Sequence, residues 1–152
     1  MKRIIIVLLT FLLLANCGYE PIYSSKQIDF KFNTIIADKN DQLNSKVKKR
    51  LKNFTNAKSE RVISLKINTQ KKINILSKDK KGDPSRYEMN IKIDLVILDN
   101  QNENLVQSFE EKFNYKTSTN KFELSQYEKE IEDILINKSV ENIIVYLSKI
   151  SK

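Results

Sequence analysis

From Tyr87 to Ile97 the chain alternates without a break. Tyr87, Met89, Ile91, Ile93, Leu95 and Ile97 are apolar, and all the residues between them except Val96 are polar. Successive side chains of a β-strand point to opposite faces, so this eleven-residue run predicts one long strand with a single buried face. Such a strand cannot stand alone. It needs partner strands of the same kind and a second layer over its apolar side.

Both are legible. Ile63, Leu65, Ile67, Ile73 and Ile75 share one parity, with Thr69 and Lys71 between them, and predict a strand near 61–76. Leu105, Phe109, Phe113 and Tyr115 predict another near 104–117. Lys78 to Ser85 holds Gly82 and Pro84 and reads as a hairpin loop, and Asp99 to Asn104 reads as a polar turn. Upstream, Ile28, Phe30, Phe32 and Ile36 alternate with Asp29, Lys31 and Asn33, predicting a first strand near 28–36. Asp38-Lys39-Asn40-Asp41 supplies helix N-cap chemistry. Leu43, Val47, Leu51 and Phe54 then recur at helical spacing over about 41–54, with Lys46, Lys48, Lys49, Arg50 and Lys52 on the other side.

A second helix is expected near 123–148, with two apolar stripes. Leu124, Tyr127, Ile131 and Leu135 line one face; Ile136, Val140, Ile143, Leu147 and Ile150 line another. The change falls at Asn137-Lys138-Ser139, so either the helix bends there or its halves pack on different partners. The expected fold class is α+β: a two-layer sandwich of order β-α-β-β-β-α, an approximately four-stranded sheet covered on one face by two helices. The three later strands should form an antiparallel meander. Ile91, Ile93, Leu95, Phe109, Phe113, Val47, Leu51 and Ile131 are the expected core.

Composition removes whole classes of function. The 152 residues contain no His and one Cys, so there is no Ser-His-Asp triad, no Cys-His pair and no ordinary zinc site. The two glycines, Gly18 and Gly82, cannot build a Gly-rich phosphate loop. The acidic clusters Glu110-Glu111 and Glu128, Glu130, Glu132, Asp133 read as solvated surface. No enzyme activity and no cofactor or metal is expected.

The first residues carry the targeting information. Lys2 and Arg3 precede an apolar run from Ile4 to Leu14 that only Thr10 interrupts, followed by Ala15, Asn16 and Cys17. A run this short is a signal h-region and falls short of the roughly 20 residues of a membrane span. The lone cysteine sits where a bacterial lipoprotein signal is cut and acylated. Asn16 departs from the small residue usual there, which leaves an ordinary secretory signal or an uncleaved N-terminal helix as alternatives. The expected organisation is a signal peptide over 1–16, a lipidated cysteine and tether over 17–27, and a single periplasmic α+β domain over 28–152. Loss of Lys2 and Arg3 lowers the formal net charge from +8 to +6. An exported basic domain meets no nucleic acid, so a nucleic-acid partner is not expected.

The stretch Cys17-Gly18-Tyr19-Glu20-Pro21-Ile22-Tyr23 resembles the mature start of the LptE family of lipopolysaccharide-assembly lipoproteins, whose alphaproteobacterial forms begin Cys-Gly-Phe/Tyr-x-Pro-Leu/Ile-Tyr. The element order and length also fit that family. The resemblance implies a lipid anchor at Cys17 on the periplasmic side of the outer membrane. It also implies a place inside the β-barrel LptD, help in assembling that barrel, and binding of lipopolysaccharide, without enzyme activity.

A phosphorylated lipid needs cations beside apolar groups. Within the segment Lys78 to Arg86, Lys80, Lys81 and Arg86 are the candidate lipopolysaccharide contacts, with a merely solvated turn as the bland alternative. Two other function classes stay open: an accessory lipoprotein of an envelope lipid transporter, and a tethered structural domain without a ligand.

Overall fold

The computed structural model describes residues 28–37, 41–98 and 105–150. The order is β1 (Lys31–Ile36), α1 (Gln42–Lys52), β2 (Val62–Lys78), β3 (Pro84–Leu98), β4 (Leu105–Lys116) and α2 (Lys121–Lys149). The sheet runs β1-β2-β3-β4. β1 and β2 are parallel and joined through α1, whereas β2, β3 and β4 form the expected antiparallel meander. The α+β class and the element order therefore hold.

Local chemistry explains the helix starts. Asp41 accepts from the N–H groups of Leu43 and Asn44, and Asn120 accepts from those of Phe122 and Glu123, so each helix begins at a side-chain cap. The caps satisfy backbone donors that have no carbonyl partner in a first turn.

The core lies between the sheet and the helices. Ile63, Leu65 and Ile67 of β2 and Met89, Ile91, Ile93 and Leu95 of β3 face Val47 and Leu51 of α1 and Ile131, Leu135, Ile136, Val140, Ile143 and Leu147 of α2. The parity expected for β3 is correct. Phe109 is half-buried against Tyr146, with ring centroids 5.7 Å apart. Phe113 departs from the expectation and is 39% exposed. It sits opposite Met89 on the outer strand β4 and has a strand neighbour on one side only.

β1 also departs from simple alternation. The register shifts between Phe32 and Thr34, leaving Asn33 as an extra residue. A bulge of this kind turns the following side chains over. Ile35 is buried as a result, while Ile36, expected inside, is exposed.

α2 runs unbroken through Asn137-Lys138-Ser139. Residues four apart advance about 40° around a helix, so the buried rows drift around its axis. Ile131, Leu135, Ser139, Ile143 and Leu147 form one row; Glu132, Ile136, Val140 and Ile144 form the next. The first row takes Ile131 and Leu135 from one expected stripe and Ile143 and Leu147 from the other, so the two stripes are successive parts of this one winding face. Glu128, Lys138, Asn142 and Tyr146 reach β4, whereas Glu132 and Asp133 reach α1. The partners differ by flank rather than by half. Ile150, expected on the second stripe, is 39% exposed at the C-cap.

Candidate functional site

The β2–β3 hairpin outruns the helices. α1 reaches β2 at Thr69, where the Asn44 side chain accepts the backbone N–H at 2.7 Å. Beyond that point Ile73, Ile75 and Leu76 are all exposed, and so are Phe122 and Tyr127 on the first turns of α2.

The hairpin tip is a defined turn. Asp79 donates its N–H to the Asp83 carbonyl at 2.8 Å and accepts that of Gly82 at 3.1 Å. Its carboxylate accepts from Lys81 N–H at 2.8 Å and Asp83 N–H at 2.9 Å. Gly82 has φ +90°, a conformation that suits glycine and strains other residues. This turn holds up Lys80 and Lys81 as exposed cations.

Arg86 is not part of the turn. β3 already begins at Pro84, and Arg86 pairs across the sheet with Ser77 on one side and Lys116 on the other. The structure therefore separates the three sequence candidates: two at the tip, one on the sheet. It also brings together residues that the sequence reading missed. A cleft of about 490 Å³ is lined by Leu76, Arg86, Asn114, Tyr115, Lys116 and Tyr127. Lys116 entered no candidate list because it lies thirty residues downstream, and only the β3–β4 register sets it opposite Arg86.

Aromatic rings stiffen this end. Tyr87 stacks on Tyr115 at 5.5 Å, and Tyr127 meets Tyr115 edge-on at 6.2 Å. The Tyr115 hydroxyl donates to Glu128 at 2.7 Å. Burial, reinforced by that hydrogen bond, pushes the phenol well above its ordinary range, so it stays protonated. Two cations, an amide, an aliphatic and two phenol rings can hold an anionic amphiphile, with phosphate on the cations and an apolar portion on the rings.

The acidic clusters are less solvated than expected. Glu132 is buried and bridges Lys46 at 2.5 Å and Lys71 at 2.7 Å. Burial raises its carboxyl, yet hydrogen bonds from the two lysines outweigh this and hold it below the usual carboxylate range. Asp133 pairs with Arg50 at 2.9 Å and Lys46 at 3.3 Å. Glu111 accepts from Lys138 at 2.6 Å and Asn142 at 2.8 Å. These carboxylates pin α2 to α1 and the sheet, as do the inward-turned Lys46 and Arg50. Lys49 and Lys52 stay exposed. Among the described residues no group of acidic, His or Cys side chains is arranged to hold a metal, and no helix is long and apolar enough to cross a membrane. Cys17 and its tether lie outside the described residues.

No protein-family model and no curated protein matches the sequence. Solved structures do match in fold. The crystal structure of rare lipoprotein B from Shewanella oneidensis aligns with a TM-score of 0.56 at 14% identity, covering 81% of this chain and 98% of that one. The solution structure of an uncharacterised lipoprotein B from Nitrosomonas europaea aligns at 0.63 and 16% identity, covering 83% and 89%. A minor lipoprotein from Acinetobacter baumannii aligns at 0.59 and 15% identity, covering 81% and 92%. The chain has the fold of these bacterial lipoproteins.

Proposed function

We propose that this chain is an LptE-type lipoprotein: anchored through Cys17 on the periplasmic face of the outer membrane, it plugs and helps assemble the barrel LptD and binds lipopolysaccharide. The observation that carries the reading is a lipobox-like start, Cys17 to Tyr23, on a domain with the fold of solved bacterial lipoproteins. The open sheet face supports the plug role. It presents Asn74 beside Glu88, Asn90 beside Glu110, and Asp94 beside Ser108, a polar surface suited to a polar barrel interior. The hairpin cleft supports the lipid role, with Arg86 and Lys116 taking phosphate and Leu76, Tyr115 and Tyr127 taking an acyl or sugar face.

Affinity purification of the protein from detergent-solubilised outer membranes tests the reading. LptD should co-purify in equal amount. Lipopolysaccharide binding should fall at least about tenfold in Arg86→Glu/Lys116→Glu, the size of one lost charge-assisted contact, while the melting temperature stays put. An inner-membrane transporter in place of the barrel would transfer the protein to the lipid-transporter class. No partner and no lipid would leave a tethered structural domain.

A further inference from the structure

We propose that the free edge of β2 from Lys71 to Ile75 is a docking site for an added β-strand from a protein partner whose residues alternate apolar and acidic. β1 ends opposite Lys66, whereas β2 continues to Lys78. The Thr69 N–H donates to Asn44 on α1, so it points away from β3. Backbone groups alternate in direction along a strand, and those of Lys71, Ile73 and Ile75 leave by the same edge. Among the described residues nothing pairs with them. Asn44 is itself held by Asp41, through its own N–H and its side-chain amide. One position of the edge is thus capped by a buried side chain, and the next three are open.

Proteins usually blunt such an edge with proline, a bulge or a projecting lysine. Here the bulge comes only after Ile75 and no proline is present. The charge of Lys71 is neutralised by Glu132, and the exposed Lys72 makes the edge selective for an acidic strand while guarding it against a like-charged one. Side-chain chemistry then selects the occupant. Ile73 and Ile75 lie on the helix side and are exposed, so the residues added beside them must be apolar. Lys72 lies on the opposite face, and β2 carries Lys66, Lys71, Lys72 and Lys78 with no acid. Acidic residues therefore belong on the other side of the added strand. A second copy of the chain would set lysine-bearing edges against each other. The site is separate from the hairpin cleft and independent of the barrel and lipid reading. Its mode is strand addition, with backbone bonds supplying affinity and alternate side chains supplying selection.

The test uses the full chain in detergent micelles with two synthetic peptides, one alternating Val and Glu, the other Val and Lys. With roughly nine-tenths of the protein bound, the acidic peptide should slow amide exchange at Lys71, Ile73 and Ile75 about tenfold, and the basic peptide should not. Ile73→Pro removes an N–H that the β2–β3 ladder does not use and should abolish the protection with the fold intact. Lys72→Glu should shift the preference toward the basic peptide, and this variant decides the matter if the proline variant misfolds. Four results would overturn the proposal: no protection at these amides, equal protection by both peptides, an unchanged preference in Lys72→Glu, or protection by self-association without peptide.

Discussion

Glu132 on α2 holds Lys71 on β2 at 2.7 Å, and the same carboxylate holds Lys46 on α1. One side chain thereby ties three elements together. Its carboxyl is held below the usual range when folded, so the stability it contributes is present above the unfolded carboxylate pKa and is lost as pH falls through the folded value. The Lys46 ammonium, raised by its hydrogen bond to Glu132, sets the opposite limit: its contribution is present below the unfolded lysine pKa and is lost as pH rises through the folded value. Glu132→Ala should cost about 1–2 kcal/mol near neutral pH, short of a fully buried pair because both lysines reach water. The variant should also lose less stability than the parent between neutral and acidic pH in urea titrations. An unchanged acid limb would refute the linkage.

Two apolar residues of similar sequence pattern should behave differently. Ile93 is fully buried at the centre of the sheet, and its replacement by Ala should cost about 2–5 kcal/mol. Phe113 is exposed on the outer strand, and Phe113→Ala should cost well under half of that. Chemical denaturation of both variants makes the comparison.

Ser139 lies on the buried face of α2 and is itself fully buried, and its hydroxyl has no partner among the described residues. Ser139→Ala removes an unsatisfied polar group and should leave stability unchanged or raise the melting temperature. Ser139→Leu should overpack the helix–sheet contact and cost about 1–3 kcal/mol.

The tether makes its own prediction. Cys17→Ala should release the protein from the membrane fraction, since durable anchoring needs more than one acyl chain and each buried methylene contributes about 0.8 kcal/mol. The ten residues from Gly18 to Gln27 span at most about 35 Å. Inserting about 30 flexible residues after Tyr23 should leave the fold intact and weaken association with the barrel, by diluting the docked domain. Intact mass without lipid would remove the anchor, and undiminished association after the insertion would make it incidental.

Periodicity alone was enough to locate every described element to within a few residues, because alternation and helical spacing are local consequences of backbone geometry. The parity of β3, the cap at Asp41 and the hairpin around Gly82 all follow from neighbouring residues in the chain. What periodicity could not reveal is how far each layer extends over the next. Ile73 and Ile75 continue the parity of Ile63 and Leu65, yet they lie in the open because α1 goes no further along β2 than Thr69. Ile35 displaces Ile36 from the core because one inserted residue, Asn33, turns the strand over. Glu132 is a buried pin rather than surface charge because Lys46 and Lys71, far away in sequence, arrive from two other elements. Arg86 gains Lys116 through register alone. A side chain's direction is set locally, but its burial and its partners depend on which distant segment the packed fold brings beside it, and that is a property of the tertiary structure.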